Sequence, residues 1–151
     1  MTIIRINDRN FESWRSHIEE LLNCSVQLNF PGYHVDDNYG KHKCEDLETY
    51  IKNGSAIVFG AVEGNELIGW VWCHRINRLN KERLHIAEIG VKDTYHRHGV
   101  GKLLLSKIEQ YGIENGVREI DLLVTKSNQA AVHFYENASY EIERYLMKKT
   151  L

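Results

Sequence analysis

The chain has 151 residues, 19 Lys and Arg against 21 Asp and Glu, and a formal net charge of −2, which suits a single domain over residues 1–151 with a substantial core. That mixed, near-neutral charge excludes a general nucleic-acid binder, which carries a basic balance or stripe, and no apolar run is long enough to span a membrane. Cys24, Cys44 and Cys73 are too few and too scattered for a disulfide framework or a zinc site, and Arg5, Asp8, Arg9, Glu12 and Arg15 break up the region where a secretory signal would be apolar, so a cytoplasmic protein is expected.

In chain order, residues 3–6 read as a short strand. Phe11, Trp14, Ile18, Leu21 and Leu22 then fall on one face of a helix over residues 11–22. Residues 25–44 read as irregular, rich in aromatic and polar side chains, and residues 46–52 as one more short helix. Residues 55–62 and 66–76 form two strands joined by a tight turn at Glu63-Gly64-Asn65. The β-branched, apolar run LHIAEIGV at residues 84–91 is a further strand. After it, a helix starts at Val100 with Val100, Leu103, Leu104, Ile108 and Tyr111 on its apolar side, and Gly116 closes it. Residues 118–125 (REIDLLVT) are a strand that follows a crossover and so lies parallel to residues 84–91. Residues 128–137 form a last helix, and residues 140–149 hold one or two closing strands.

The strand-to-helix corner at residues 95–104, YHRHGVGKLL, carries the most chemistry. The first turn of a helix presents N–H groups without intrahelical partners and a partial positive charge, which together make an anion site. Gly99 and Gly101 remove two Cβ atoms there, and Arg97, His98 and Lys102 add positive charge. A Walker A loop is excluded because Lys102 precedes Leu103 and His96 stands where the first glycine belongs; a dinucleotide fingerprint is excluded because Leu104 replaces its third glycine. A phosphate-bearing ligand or a ligand-free glycine turn remains. His96 and His98 lie close in sequence, but no further ligand cluster accompanies them, so no metal site is expected.

Two blocks together resemble the GNAT superfamily of acyl-CoA-dependent N-acyltransferases. GVKDTYHRHGVGKLL at residues 90–104 is similar to that family's pyrophosphate loop, written Q/R-x-x-G-x-G/A, and NQAAVHFYENASYE at residues 128–141 is similar to its N-x-x-A-x-x-F-Y-x-x-x-G-F helix and strand. The likeness runs from about residue 55 onward. It implies an α/β fold of the α+β type: a mixed sheet of antiparallel N-terminal strands with a central splayed parallel pair, and helices on both faces. It further implies that Arg97, His98, Gly99, Val100, Gly101 and Lys102 bind the coenzyme A pyrophosphate, that main-chain groups of Ile89, Gly90 and Val91 pair with the pantetheine arm, that Asn128 contacts the coenzyme near that arm, and that Tyr135 sits at the thiol. Two positions depart from the pattern: His96 stands for Gln or Arg, and Ser139 for glycine.

Amine acylation needs a neutral nucleophile, whereas an alkyl ammonium has a pKa of ~10.4, so some group must take its proton. The departing thiolate benefits from a proton, for which the Tyr135 hydroxyl is a candidate donor; otherwise Tyr135 is a core tyrosine on an amphipathic helix. His85 and Glu88 are the polar residues of LHIAEIGV, and the resemblance offers His85 as base or water relay and Glu88 as the group that binds the amine. Strict alternation sends the two to opposite faces unless a bulge intervenes. Relatives that place a base on the following strand match here to Leu123, which argues against that variant. Trp70, Trp72 and His74 alternate on one strand face and either floor an acceptor pocket or fill a core. In the family the acceptor region is the stretch matching residues 25–44, where Tyr33, Asp36 and Asp37 suit a polar, cationic amine.

The expected function is transfer of an acetyl group from acetyl-CoA to a primary amine of a small molecule, such as an amino sugar or polyamine, by direct attack in a ternary complex. The alternatives are action on a protein or peptide amine, an acyl-CoA-binding or sensing domain without turnover, and an unrelated nucleotide binder. No nucleic-acid or membrane partner is expected, and the chain is expected to be a monomer or a homodimer.

Overall fold

The protein is described over residues 1–151 by a computed structural model. Its five-stranded sheet runs in the order β1 (Thr2–Ile6), β2 (Ile57–Glu63), β3 (Glu66–Arg78), β4 (Lys81–Val91) and β5 (Ile120–Leu122). The first three junctions are antiparallel and β4–β5 is parallel, as a helical crossover between them requires. This is the mixed sheet expected from the sequence, with helices on both faces.

Side-chain alternation gives the sheet two apolar faces. On one, Ile6, Val58, Leu67, Trp70 and Trp72 pack against Phe11, Ile18, Leu21 and Leu22 of α1 (Phe11–Asn29) and Cys44, Leu47 and Ile51 of α2 (Tyr39–Lys52). On the other, Ile57, Phe59, Ile68, Val71, Leu84 and Ile86 pack against Val100, Leu104, Leu105 and Ile108 of α3 (Val100–Glu114), with Phe134 and Tyr135 of α4 (Gln129–Asn137) against the same cluster.

The structure departs from the sequence reading in several places, and β4 already begins at Lys81, before the expected residue 84. The irregular stretch shrinks to residues 30–38, because α1 continues to Asn29 and α2 begins at Tyr39. The extra turns bury Val26 from α1, and Gly40 and Cys44 from α2, small or isolated side chains that do not register as an apolar stripe. In α3 it is Leu105 that is buried, while Leu103 is 45% exposed, because α3 lies on the sheet by its 100/104/105/108 side. β5 is only three residues long, and beyond it Leu123 is 78% exposed. Residues 140–149 form no strand. Side chains hold them instead: the Tyr140 ring lies edge-on to Tyr135, Glu143 binds Arg83, and Lys148 bonds the Tyr33 hydroxyl.

Candidate active site

At the end of β4 the chain makes one 3-10 turn (Asp93–Tyr95), extends through His96, and passes Arg97 at φ 63° and Gly99 at φ 81° into α3. A left-handed residue at the N-cap explains Gly99. Having no side chain, it cannot cap the helix, and the first backbone bond into α3 runs from Leu103 N to Gly99 O (3.0 Å). The N–H groups of Val100, Gly101 and Lys102 therefore face outward without backbone partners. Gly101 has a different cause from the one the sequence suggested. A Cβ there would stand 3.1 Å from the Phe134 ring, so this glycine lets α4 close on α3.

His96 donates from Nε2 to Val91 O (2.9 Å), and His98 from Nδ1 to His96 O (2.9 Å). The first bond ties the corner to the last residue of β4, so His96 acts as a brace at the position where the family pattern has Gln or Arg.

The parallel pairing covers only Leu84, His85 and Ile86 of β4. From Ala87 to Val91 that edge of β4 has no strand partner, and the sheet splays there. On the β3 side, Trp72 faces Glu88 and Cys73 faces Ile86, so Ala87 is an extra residue in a bulge. The bulge resets the alternation. His85, opposite His74, and Glu88, opposite Trp72, consequently share one face, the face carrying α1 and α2.

That face is a row of rings. Tyr50 of α2 stacks on Trp72 (5.8 Å between centroids), Trp72 neighbours His74 (6.3 Å), and His74 meets His85 edge-on (5.3 Å). Trp72 is 8% exposed and so part of the core, as is Trp70 at 1%. Yet Trp72 Nε1 and His74 Nδ1 are buried donors or acceptors without a partner, which leaves hydrogen-bonding capacity at the site. Burial, reinforced by His85, lowers the His74 pKa and keeps its ring neutral. His85 Nδ1 stands 2.6 Å from Asp121 Oδ1 on β5. Asp121 did not emerge from the sequence; only the register of REIDLLVT against β4 could have revealed it.

Burial raises the Glu88 pKa, with Lys43 of α2 partly opposing it. Burial and the charge of Glu88 push the Tyr135 phenol up to about 12, and the same two causes raise Tyr39 of α2. Glu88 thus lies within electrostatic reach of α2 on one side and α4 on the other, and Tyr135 is a protonated phenol at neutral pH. Asn128 is engaged within the protein: its Oδ1 caps α4 at Ala131 N (3.2 Å), and its Nδ2 donates to Asn29 Oδ1 (3.0 Å) at the end of α1. Tyr33 is 59% exposed and packs on Phe30 and Lys148, not on the Trp72–His85 row. Asp36 and Asp37 line a separate cavity of about 170 Å³ with Asn23, Val26, Gln27 and Val35, which shares no residue with that row.

Residues 14–140 match the family model described as the acetyltransferase (GNAT) family. The chain belongs to that family. Within it, the chain is 31% identical over 80 residues to the mycothiol acetyltransferase of Propionibacterium freudenreichii subsp. shermanii, covering 53% of this chain and 26% of that protein. It is 27% identical over 100 residues to the human N-alpha-acetyltransferase 30, covering 66% of this chain and 28% of that one. The chain thus spans about a quarter of the length of these curated relatives. Among solved structures, an aminoglycoside acetyltransferase from an uncultured soil metagenomic sample superimposes with a TM-score of 0.76 at 19% identity, over 99% of this chain and 95% of that one, a likeness of fold. No helix of this GNAT-family chain is long and apolar enough to cross a membrane.

Proposed function

We propose that this chain is an N-acetyltransferase that moves the acetyl group of acetyl-CoA to a primary amine of a small molecule, by direct attack in one ternary complex. The observation that carries the reading is the Ala87 bulge, which brings His85 and Glu88 to one face where β4 and β5 part, with Tyr135 held protonated nearby. The uncapped N–H groups of α3 together with Arg97 and Lys102 suit a pyrophosphate, and the unpaired edge at Ile89, Gly90 and Val91 suits an amide-bearing arm. When bound, the coenzyme supplies an activated thioester. Glu88 holds the incoming ammonium, His85 takes its proton, and Tyr135 protonates the departing thiolate. Trp72 and His74 line the acceptor side of the row next to His85, from which Tyr33 lies apart.

The test is release of free thiol from acetyl-CoA in the presence of amino sugars, polyamines, amino acids and peptides. Turnover is expected with the small amines, and Tyr135→Phe is expected to lower kcat about 100-fold with coenzyme affinity retained. Turnover confined to peptides transfers the reading to a protein or peptide amine. Tight coenzyme binding without thiol release from any amine overturns catalysis in favour of a sensing domain, and thermal stabilisation by ADP equal to that by acetyl-CoA overturns the coenzyme assignment.

A further inference from the structure

Resting on the reading of His85 as proton acceptor, we infer that Asp121 is a positioning residue: its carboxylate fixes the His85 imidazole with the hydrogen on Nδ1, leaving Nε2 as a lone-pair acceptor for the substrate amine. The two carboxylate oxygens have divided tasks. Oδ1 lies 2.6 Å from His85 Nδ1, while Oδ2 lies 3.3 Å from Arg78 Nε and 3.4 Å from Arg83 Nη1. The two guanidinium groups hold the carboxylate in place, and an ionised carboxylate only accepts, so the hydrogen between it and the imidazole belongs to Nδ1. Both side chains are largely shielded, at 21% and 17% exposure, which strengthens a charge-assisted bond.

The scaffold makes this orientation rigid. His85 and Asp121 are direct partners in the short parallel ladder, one residue before β4 and β5 part, so the carboxylate arrives from strand backbone and not from a loop. His74 meets the imidazole edge-on, with 61° between the planes. The other charged groups gathered here are Arg78, Arg83, Glu119 and Glu143, whose ion pairs with one another and with Asp121 close the network. An imidazole carrying its hydrogen on Nε2 could not accept from an amine. With Nδ1 protonated, Nε2 takes the amine's proton, and the resulting imidazolium is balanced by Asp121.

The experiment joins ¹⁵N spectra of the His85 imidazole with the kinetics of Asp121→Asn, His85→Ala and the double variant. The wild-type spectrum at alkaline pH is expected to show one tautomer, Nδ1–H, a readout that needs no variant to fold. Asp121→Asn, which keeps the side-chain size, is expected to mix the tautomers and lower kcat at least about tenfold, with KM for acetyl-CoA within about twofold. In the His85→Ala background the same change is expected to cost nothing further, since it acts through His85. A wild-type Nε2–H tautomer, or an Asp121→Asn loss that multiplies with that of His85→Ala, overturns the proposal. A wild-type rate in His85→Ala with the Nδ1–H tautomer intact instead overturns the reading of His85 as base and, with it, any part of Asp121 in turnover.

Discussion

The corner before α3 and the ringed face of β3 and β4 lie at the two sides of one splayed strand pair, yet they are built from different material. The corner is made of main chain: N–H groups of a helix start, a left-handed glycine, and a histidine that braces a carbonyl. The ringed face is made of side chains from α2, β3, β4 and β5, brought into register by one bulged residue. A main-chain site tolerates side-chain changes and fails when backbone angles fail. A side-chain site behaves the opposite way.

The strongest test on the side-chain half is Glu88→Gln. A charge-assisted hydrogen bond to an ammonium contributes about 1.5–3 kcal/mol, so kcat/KM for the amine is expected to fall roughly 10- to 100-fold. Stability moves in the other direction. Burial holds the Glu88 carboxyl above its usual range, so the folded protein binds that proton more tightly than the unfolded chain and loses stability as pH rises past the ordinary glutamate value of ~4.3. Glutamine removes the penalty. Urea titrations are expected to show the variant more stable than wild type at neutral pH and equal to it at acid pH; a variant less stable at neutral pH would mean that Glu88 is paired.

On the main-chain half, Gly99→Val attacks the backbone directly. The residue sits at φ 81° with open space around its Cα, so the cost is conformational and not a clash. A left-handed non-glycine residue costs about 1–2 kcal/mol, which predicts a rise in KM for acetyl-CoA of roughly tenfold with kcat retained. A smaller effect follows from His96→Ala. Losing the bond to Val91 O, worth about 1 kcal/mol, is expected to raise the same KM about fivefold and leave KM for the amine alone. Equal changes in both constants would erase the distinction between the two halves.

This division also explains what the sequence could reveal. The corner was legible because its chemistry is local: a β-branched run, two glycines and an amphipathic helix all lie within residues 84–114. Tyr135 is singled out by its place in the N-x-x-A-x-x-F-Y pattern, which is also local. The ringed face was legible only in part: Trp72, His74, His85 and Glu88 could be named, but the bulge depends on the register between β3 and β4, and the His85–Asp121 partnership joins residues 36 apart across a parallel ladder. Alternation alone sends His85 and Glu88 to opposite faces; one extra residue at Ala87 reverses that. The extension of α1 to Asn29 rests on a lone buried Val26, and that of α2 back to Tyr39 on Gly40 and Cys44, neither of which makes an apolar stripe.

The smallest expected effect lies where α4 ends, and it separates the turn from the chemistry. Ser139 adopts φ 65°, and its neighbour's N–H bonds back to Tyr135 O at 3.0 Å, the left-handed termination that glycine favours. The turn folds Tyr140 back so that its ring meets Tyr135 at 5.6 Å. Ser139→Gly removes a Cβ penalty of about 1–2 kcal/mol and adds about 0.5–1 kcal/mol of unfolded-chain entropy, for a net stabilisation of about 0.5–1 kcal/mol. A denaturation midpoint shifted upward, with turnover unchanged, would make Ser139 a conformational departure from the family's glycine. A changed kcat would instead make the turn part of what sets the Tyr135 phenol, and the proposed site would then extend to the end of α4.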